Sequence, residues 1–393
     1  MADDPTQSEP SLPDNLIPFN RPSIEGREIE YIQAAVEHGH TSSSGPFTKL
    51  AVDELKEATG AADVLLTTSC TAALEMAAIL LDLEPGDTVV VPSFGFVTTA
   101  LSFVRQGARI LFCDIESETL GVDAGRLAEI MDDSVRAVIP IHYAGVGGQI
   151  DEIRAVLDEW PEATLVEDNA QGLFGSYKGQ PLGSFGRFSA ISFHETKNFI
   201  CGEGGAFVVN DAADADRAHV IYDKGTNRRA FMHGQVDKYS WQDLGSSFGM
   251  ADVLAAYLYG QLKEKEKILA KRRHVFEHYE QALAPLVDTH GIRLPVIPDH
   301  CEQSYHMFYV LLPDGESRNQ VLKSMNDDGI YATFHYVPLH NSPGGVAVAA
   351  RELACPVTDD VSRRLLRLPF YTSLGQDDLD RVTESFARAV DAL

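Results

Sequence analysis

Lys197 lies in Ser192-Phe-His-Glu-Thr-Lys-Asn198, shortly before the glycine-rich run Gly202-Glu-Gly-Gly205. Upstream, Asp168 follows the apolar start of Leu165-Val-Glu-Asp168, and Gln171 comes three residues later. A carboxylate after an apolar run, followed by a lysine in a polar turn, is what pyridoxal phosphate (PLP) chemistry requires. The amine can form a Schiff base with the cofactor aldehyde, and the carboxylate keeps the pyridine nitrogen protonated so that the ring accepts electrons. A lysine judged by type alone is nearly always a surface residue. Here a short buried strand precedes it and a glycine run follows, where backbone can approach a ligand closely. Gln171 is placed to hydrogen-bond the cofactor's ring oxygen. Glu167 points to the opposite side of an extended chain and reads as structural.

Other residues fit the remaining parts of such a cofactor. Thr67-Thr-Ser-Cys-Thr71 precedes a helix, and backbone N–H groups there with small hydroxyls form a phosphate site. Plain N-capping accounts for the same residues equally well. Ser192 is a second phosphate donor, and Phe96 could stack on the pyridine face, although an aromatic at a strand end is more often core. Gly202-Glu-Gly-Gly205 runs into a strand and has no strand–GxGxxG–helix context, so it is not a dinucleotide fingerprint. His194, Arg228, His335, Tyr336 and His340 are candidate substrate contacts; ordinary loop chemistry explains His335 and His340 as readily.

The elements that must position these residues alternate between strand and helix. Strands are expected at Thr88–Pro92, Ile110–Asp114, Ala137–Ile141, Thr164–Glu167, Ser189–Ser192 and Gly205–Asn210, with helices at Thr71–Leu83, Asp123–Met131, Gln149–Asp158 and Asp214–Ile221. That alternation predicts an α/β domain with a mainly parallel sheet covered on both faces. The charged helical pattern beginning at Ala251 predicts one long linking helix. Beyond it the pattern turns α+β, with strands at Tyr305–Leu312 and Ile330–Tyr336 and a closing helix at Gln376–Ala392. The expected division is a disordered tail at 1–15, a large PLP-binding domain at 16–250, a linking helix at 251–286 and a small α+β domain at 287–393.

The net charge is −26, with no basic cluster, which disfavours a general nucleic-acid binder. Five scattered cysteines without a C-x-x-C pair suggest reduced thiols in a cytoplasmic protein, with neither a disulfide framework nor a metal site. The apolar runs are too short to span a membrane, and the N-terminus has no signal-peptide pattern.

Taken together, the blocks LLTTSCTAALEMAAILLDLEPGD, IHYAG, VEDNAQG, SFHETKN, GEGGA, KGTNR, GQVDKYSW, DLGSS, FHYVPLH and LRLPF resemble the DegT/StrS family of PLP-dependent nucleotide-sugar aminotransferases. The likeness runs from about Ile17 to Phe370, and within the family it is nearest the WecE-type TDP-4-oxo-6-deoxyglucose aminotransferases. It implies fold type I, like aspartate aminotransferase, with a seven-stranded sheet in the large domain. It implies that Lys197 carries the cofactor, Asp168 partners the pyridine nitrogen, Gln171 contacts the ring oxygen and Phe96 stacks. Cys70, Thr71 and Ser192 become phosphate neighbours. It further implies a homodimer with active sites at the subunit interface, L-glutamate as amino donor, passage through pyridoxamine phosphate and a TDP-sugar amine as product. Amination at C3, or of another nucleotide's sugar, is the alternative enzyme; a non-catalytic sensor of PLP or nucleotide sugar is the alternative outside catalysis. Relatives that dehydrate at C3 carry histidine in place of the lysine, and Lys197 argues against that branch.

The sequence departs from the family pattern at two positions. Gly249 stands where many members have an asparagine reaching the partner's cofactor phosphate, leaving Ser246, Ser247 or Asn227 as substitutes. Asn169 replaces the usual alanine or serine beside the aspartate, where it could adjust the hydrogen bonding of Asp168.

Overall fold

The computed structural model describes residues 15–393; the tail expected at 1–15 falls, except for Asn15, outside them. Seven strands form the main sheet: β1 (Asp63–Thr67), β2 (Thr88–Pro92), β3 (Arg109–Cys113), β4 (Val135–Val138), β5 (Thr164–Asp168), β6 (Phe188–Ser192) and β7 (Gly205–Val209). Their order is β1-β7-β6-β5-β4-β2-β3. Pairings among β2 to β6 are parallel, while β7 runs antiparallel to both β1 and β6. Both faces of the sheet are covered, so β2 is buried along its whole length, as its unbroken Thr-Val-Val-Val-Pro run requires.

The carboxyl ends of β1, β5 and β6 lie on one edge of the sheet, because two reversals around β7 leave β1 parallel to β6. Register then sets Thr67 opposite Gly205, Gly205 opposite Ser192, and Asp168 opposite Ala190. Open α/β sheets place their ligands at this edge.

Helix α1 (Cys70–Leu80) begins there and packs Ala73, Leu74, Met76 and Ala77 into the core. Its Ser69 N-cap is extended and accepts the Ala72 N–H at 3.0 Å. Helix α2 (Val97–Val104) follows β2 and presents its Thr99 side to the same edge.

In place of one linking helix, two occur, α3 (Asp252–Lys263) and α4 (Lys265–His290). Glu264 between them leaves helical geometry, and charges and apolar residues alike fit either a continuous or a broken helix, so the sequence hid the break. Helix α4 buries Ile268, Arg272, Val275, Phe276, Tyr279 and Leu283, a stripe recurring every three to four residues, and ends at Gly291, whose φ of 65° suits glycine.

The C-terminal region has a two-stranded ribbon, Tyr309–Leu311 with Leu365–Arg367, packed by α4 and by helices α5 (Gly315–Asp327) and α6 (Gln376–Asp391). The strand expected over Ile330–Tyr336 is reduced to isolated bridges, Ile17 with Ile330 and Thr333 with Arg367. Its apolar alternation holds, but most of the backbone on either side has no strand partner.

Candidate active site

Asp168 is the last residue of β5, and its carboxylate accepts from Thr99 Oγ1 at 2.6 Å and from the Ala170 N–H at 3.1 Å. Glu167, one residue earlier, points to the other face. It accepts from the backbone N–H groups of Gly183, Phe185 and Gly186 and pairs with His142 Nε2 at 2.8 Å. The alternation of a strand thus separates an aspartate facing the sheet edge from a glutamate that ties down a loop.

Lys197 lies in the turn after β6, its N–H bonded to His194 O at 2.8 Å. Its side chain lines a small cleft together with Gln171, Ser192 and Asn198. Desolvation pulls the amine pKa below the ordinary lysine value; nearby Asp168 opposes that shift and Arg367 reinforces it. The result is an amine held closer to its neutral, nucleophilic form.

Gln171 Oε1 accepts the Ala144 N–H at 2.8 Å, which fixes the amide; Nε2 makes only a long 3.4 Å contact to Tyr336 Oη and remains a donor. Cys70 and Thr71 are the first two residues of α1. A Cβ built on Gly205 would fall 2.4 Å from Cys70 N, so only glycine lets the start of β7 lie against this helix end. The Ser192 hydroxyl accepts a long bond from the His194 N–H and keeps its own proton to donate. Burial and the Asp168 charge push the Cys70 thiol well up, so it stays neutral. A helix N-terminus, a hydroxyl, an amide donor, a buried carboxylate and a depressed lysine form a donor set that suits phosphate, ring oxygen, pyridine nitrogen and aldehyde. The residues fit PLP.

The other expected residues are distributed unevenly. Phe96 caps α2, four residues past β2, and is 56% exposed. His194 turns toward Thr196 Oγ1 at 2.9 Å and Glu203 at 3.6 Å. His335 and Tyr336 come to the site, His335 Nδ1 lying 3.0 Å from Tyr143 Oη. Burial drives His335 well below, and Tyr336 above, their usual pKa values. His340 does not join them; its Nδ1 lies 2.6 Å from Ser93 Oγ, where it anchors a loop to the end of β2. Arg228 opens a short exposed helix and, among the described residues, reaches only Asp223 at 3.4 Å.

Asn169 sends its side chain away from Asp168, donating to Leu182 O at 2.8 Å, so it does not adjust that carboxylate's hydrogen bonding directly. At Gly249 a Cβ would meet Ser43 Cβ at 2.7 Å and Tyr222 Oη at 2.9 Å, leaving no room for the asparagine usual in the family. Among the proposed substitutes, Asn227 Oδ1 is taken by the Ser240 N–H, and Ser246 and Ser247 are exposed.

Three residues escaped the sequence reading. Thr99 is an unremarkable helix threonine in sequence. Asn198 donates to Ser304 O and accepts from His306 Nδ1 at 2.8 Å, pinning the Lys197 turn to a distant segment. Arg367 stands in Leu365-Leu-Arg-Leu368, and a charge inside an apolar strand was the available signal.

A mainly parallel seven-stranded sheet with this lysine, aspartate and helix end at its carboxyl edge defines a PLP-dependent transferase. The chain matches the DegT/DnrJ/EryC1/StrS aminotransferase family over residues 22–387 and belongs to it; it is an aminotransferase that uses PLP. Among its relatives, the dTDP-4-dehydro-2,3,6-trideoxy-D-glucose 4-aminotransferase of Saccharopolyspora spinosa is 30% identical over 386 residues, covering 96% of this chain and 97% of that protein. The spore coat polysaccharide biosynthesis protein SpsC of Bacillus subtilis (strain 168) is 29% identical over 380 residues, covering 94% and 96%. The crystal structure of the aminotransferase TlmJ from Streptoalloteichus hindustanus superposes with a TM-score of 0.88 at 28% identity, over 96% of this chain and 99% of that one. No helix among the described residues is long and apolar enough to cross a membrane.

Proposed function

We propose that this enzyme moves the amino group of L-glutamate to the 4-oxo group of TDP-4-oxo-6-deoxy-D-glucose, giving a TDP-4-amino-4,6-dideoxyhexose. The observation that carries the reading is the placement of the desolvated Lys197 amine and the Thr99-anchored Asp168 carboxylate near one another at one sheet edge. When bound, PLP supplies an electron sink for the carbanion formed at the donor's α-carbon.

Lys197 would hold the cofactor at rest. Once displaced it takes the proton from the glutamate α-carbon, and in the second half it delivers a proton to sugar C4. Asp168 would hold the proton on the pyridine nitrogen, with Thr99 fixing the carboxylate. Gln171 would donate to the ring oxygen, Phe96 would supply an aromatic face for the ring, and Cys70, Thr71 and Ser192 would hold the phosphate. His335 and Tyr336 border the substrate space.

The C4 assignment draws support from the S. spinosa relative, whose name specifies a 4-aminotransferase of a dTDP-sugar. A homodimer in the cytoplasm completes the proposal. The exposed Trp241, Tyr239 and Phe231 provide apolar surface for a second copy, which would also bring Arg228 toward a site in the partner subunit.

The test is NMR of the product made from purified protein, PLP, L-glutamate and TDP-4-oxo-6-deoxyglucose. A new amine at C4 is expected, and the H3–H4 coupling assigns it as axial or equatorial. If glutamate is deaminated but no C4 amine forms, the named sugar is wrong.

A further inference from the structure

Ser304 joins three parts of the site that lie far apart in the chain. Its N–H donates to Gly145 O at 3.0 Å, its hydroxyl donates to Gln171 O at 2.5 Å, and its carbonyl accepts from Asn198 Nδ2 at 2.5 Å. The residue is fully buried, and among the described residues no other group donates to the Gln171 carbonyl. Gly145 makes the approach possible: its φ is 83°, and a Cβ there would run into the Ser304 hydroxyl.

These bonds meet behind the Lys197 cleft. The Ala144 N–H holds Gln171 Oε1 while Ser304 holds the backbone of the same glutamine, so its amide is fixed at both ends. Asn198 follows Lys197 directly, so the Ser304 carbonyl fixes the lysine turn as well. Gln171 comes from the segment after β5 and Lys197 from the turn after β6, and both line one cleft. Sheet register between those strands ends at Asp168 and Ala190. Beyond that point Ser304 is the bridge between the two. It is held in turn from α4, where the buried Arg272 donates to the carbonyls of Tyr305 at 2.8 Å and His306 at 2.6 Å. Tyr305 has a φ of 54°, a left-handed conformation that is costly outside glycine, and successive carbonyls there serve different partners.

We infer that Ser304 is a positioning residue of the cofactor cradle: by holding Gln171 and the Lys197 turn at once, it sets where the ring-oxygen donor stands relative to the amine. The inference rests on the PLP-dependent reading and adds a residue that acts only through Gln171 and Asn198. A donor aimed at the ring oxygen lowers the proton affinity of that oxygen and of the Lys197 nitrogen beside it. A glutamine that drifts should therefore raise the pH at which the visible band of the lysine-bound cofactor titrates.

The experiment compares wild-type holoenzyme with Ser304→Ala and Ser304→Cys. Three quantities are measured: the pH midpoint of the visible band, kcat and KM for glutamate, and the urea midpoint of the apoprotein. Ser304→Ala should move the pH midpoint up by about one unit and lower kcat about 10- to 100-fold, with KM within about threefold of wild type. Ser304→Cys, whose thiol is a weak donor of similar size, should recover part of both changes. A Ser304→Ala protein with a lower urea midpoint but an unmoved pH midpoint would overturn the inference and leave the serine purely structural. A rise in KM without the spectral shift would overturn it too, by placing the hydroxyl against the donor. Should Ser304→Ala fail to fold, Ser304→Cys decides alone: its pH midpoint must lie above that of wild type, and an unshifted one sinks the inference. The spectral comparison needs no substrate, so it stands whichever amino donor the enzyme uses. A wild-type protein that forms no visible band with PLP would sink the cofactor reading and this inference with it, whereas a wild-type band that titrates identically in both variants sinks the inference alone.

Discussion

Thr99 Oγ1 donates to the Asp168 carboxylate at 2.6 Å, joining the first turn of α2 to the end of β5. The bond aims the aspartate at the sheet edge, where a pyridinium proton would sit. Asp168→Asn should still bind PLP and lose about three orders of magnitude or more in turnover, because a neutral amide does not hold that proton. Thr99→Val should cost about 10- to 100-fold in kcat, the usual worth of a hydrogen bond to a buried charge, and Thr99→Ser should recover most of it. Steady-state rates for the four proteins test this; a near-normal Asp168→Asn would move the role elsewhere.

Lys197→Ala should abolish multiple turnovers and the visible absorbance of the lysine-bound cofactor, and appreciable sustained activity would end the assignment. The lowered pKa adds a pH prediction. The neutral amine is the form that reacts with the aldehyde, and burial makes that form available below the ordinary 10.5. Cofactor uptake by the apoprotein should therefore reach its plateau well under pH 10.5, whereas uptake by free lysine would still be rising there. Stopped-flow absorbance across pH 6 to 11 reads this directly.

His306 offers a stability test. The Asn198 amide is oriented by its donation to Ser304 O, which leaves Oδ1 facing His306 and makes Nδ1 the protonated nitrogen. Desolvation, then the charges of Lys197, Arg367 and Arg272, push the His306 pKa well below 6.5. The unfolded chain therefore binds a proton near pH 6.5 that the folded one refuses. Stability contributed by neutral His306 is present above 6.5 and falls as pH drops below it, by about 1.4 kcal/mol per pH unit for one such proton. Urea unfolding of the apoprotein at pH 7.0 and 5.5 should show the loss, and His306→Asn should flatten it by about one proton.

Much of this architecture is legible in sequence because its strands are buried on both faces. Thr88–Pro92 has the same ends in sequence and structure, and five other expected strands lie within about two residues of those observed at most boundaries. β1 was not singled out: Asp63-Val-Leu-Leu-Thr67 runs straight into the helix-capping serine, and its partner β7 is far away in sequence. The candidate site residues next to glycine runs and strand ends carry a local pattern for the same reason. Thr99 and the Asn198–His306 pair do not, because each acts through a contact spanning dozens of residues or more, and nothing local to a helix threonine announces an aspartate 69 positions away.

Glu167 should behave as the mirror image of its neighbour. Its fully buried carboxylate gathers three backbone N–H groups from residues 183–186 as well as the His142 ring, so it satisfies the loop that connects β5 to β6. Removing it leaves four buried donors without an acceptor. Glu167→Ala should lose about 3–5 kcal/mol of stability, read as a lower urea midpoint, whereas Asp168→Asn should unfold close to wild type. The protein that does fold in Glu167→Ala should keep its cofactor absorbance, since Lys197, Asp168 and Gln171 are untouched. A Glu167→Ala protein as stable as wild type would mean that the loop at 183–186 finds its hydrogen bonds in water and that the glutamate's burial is incidental.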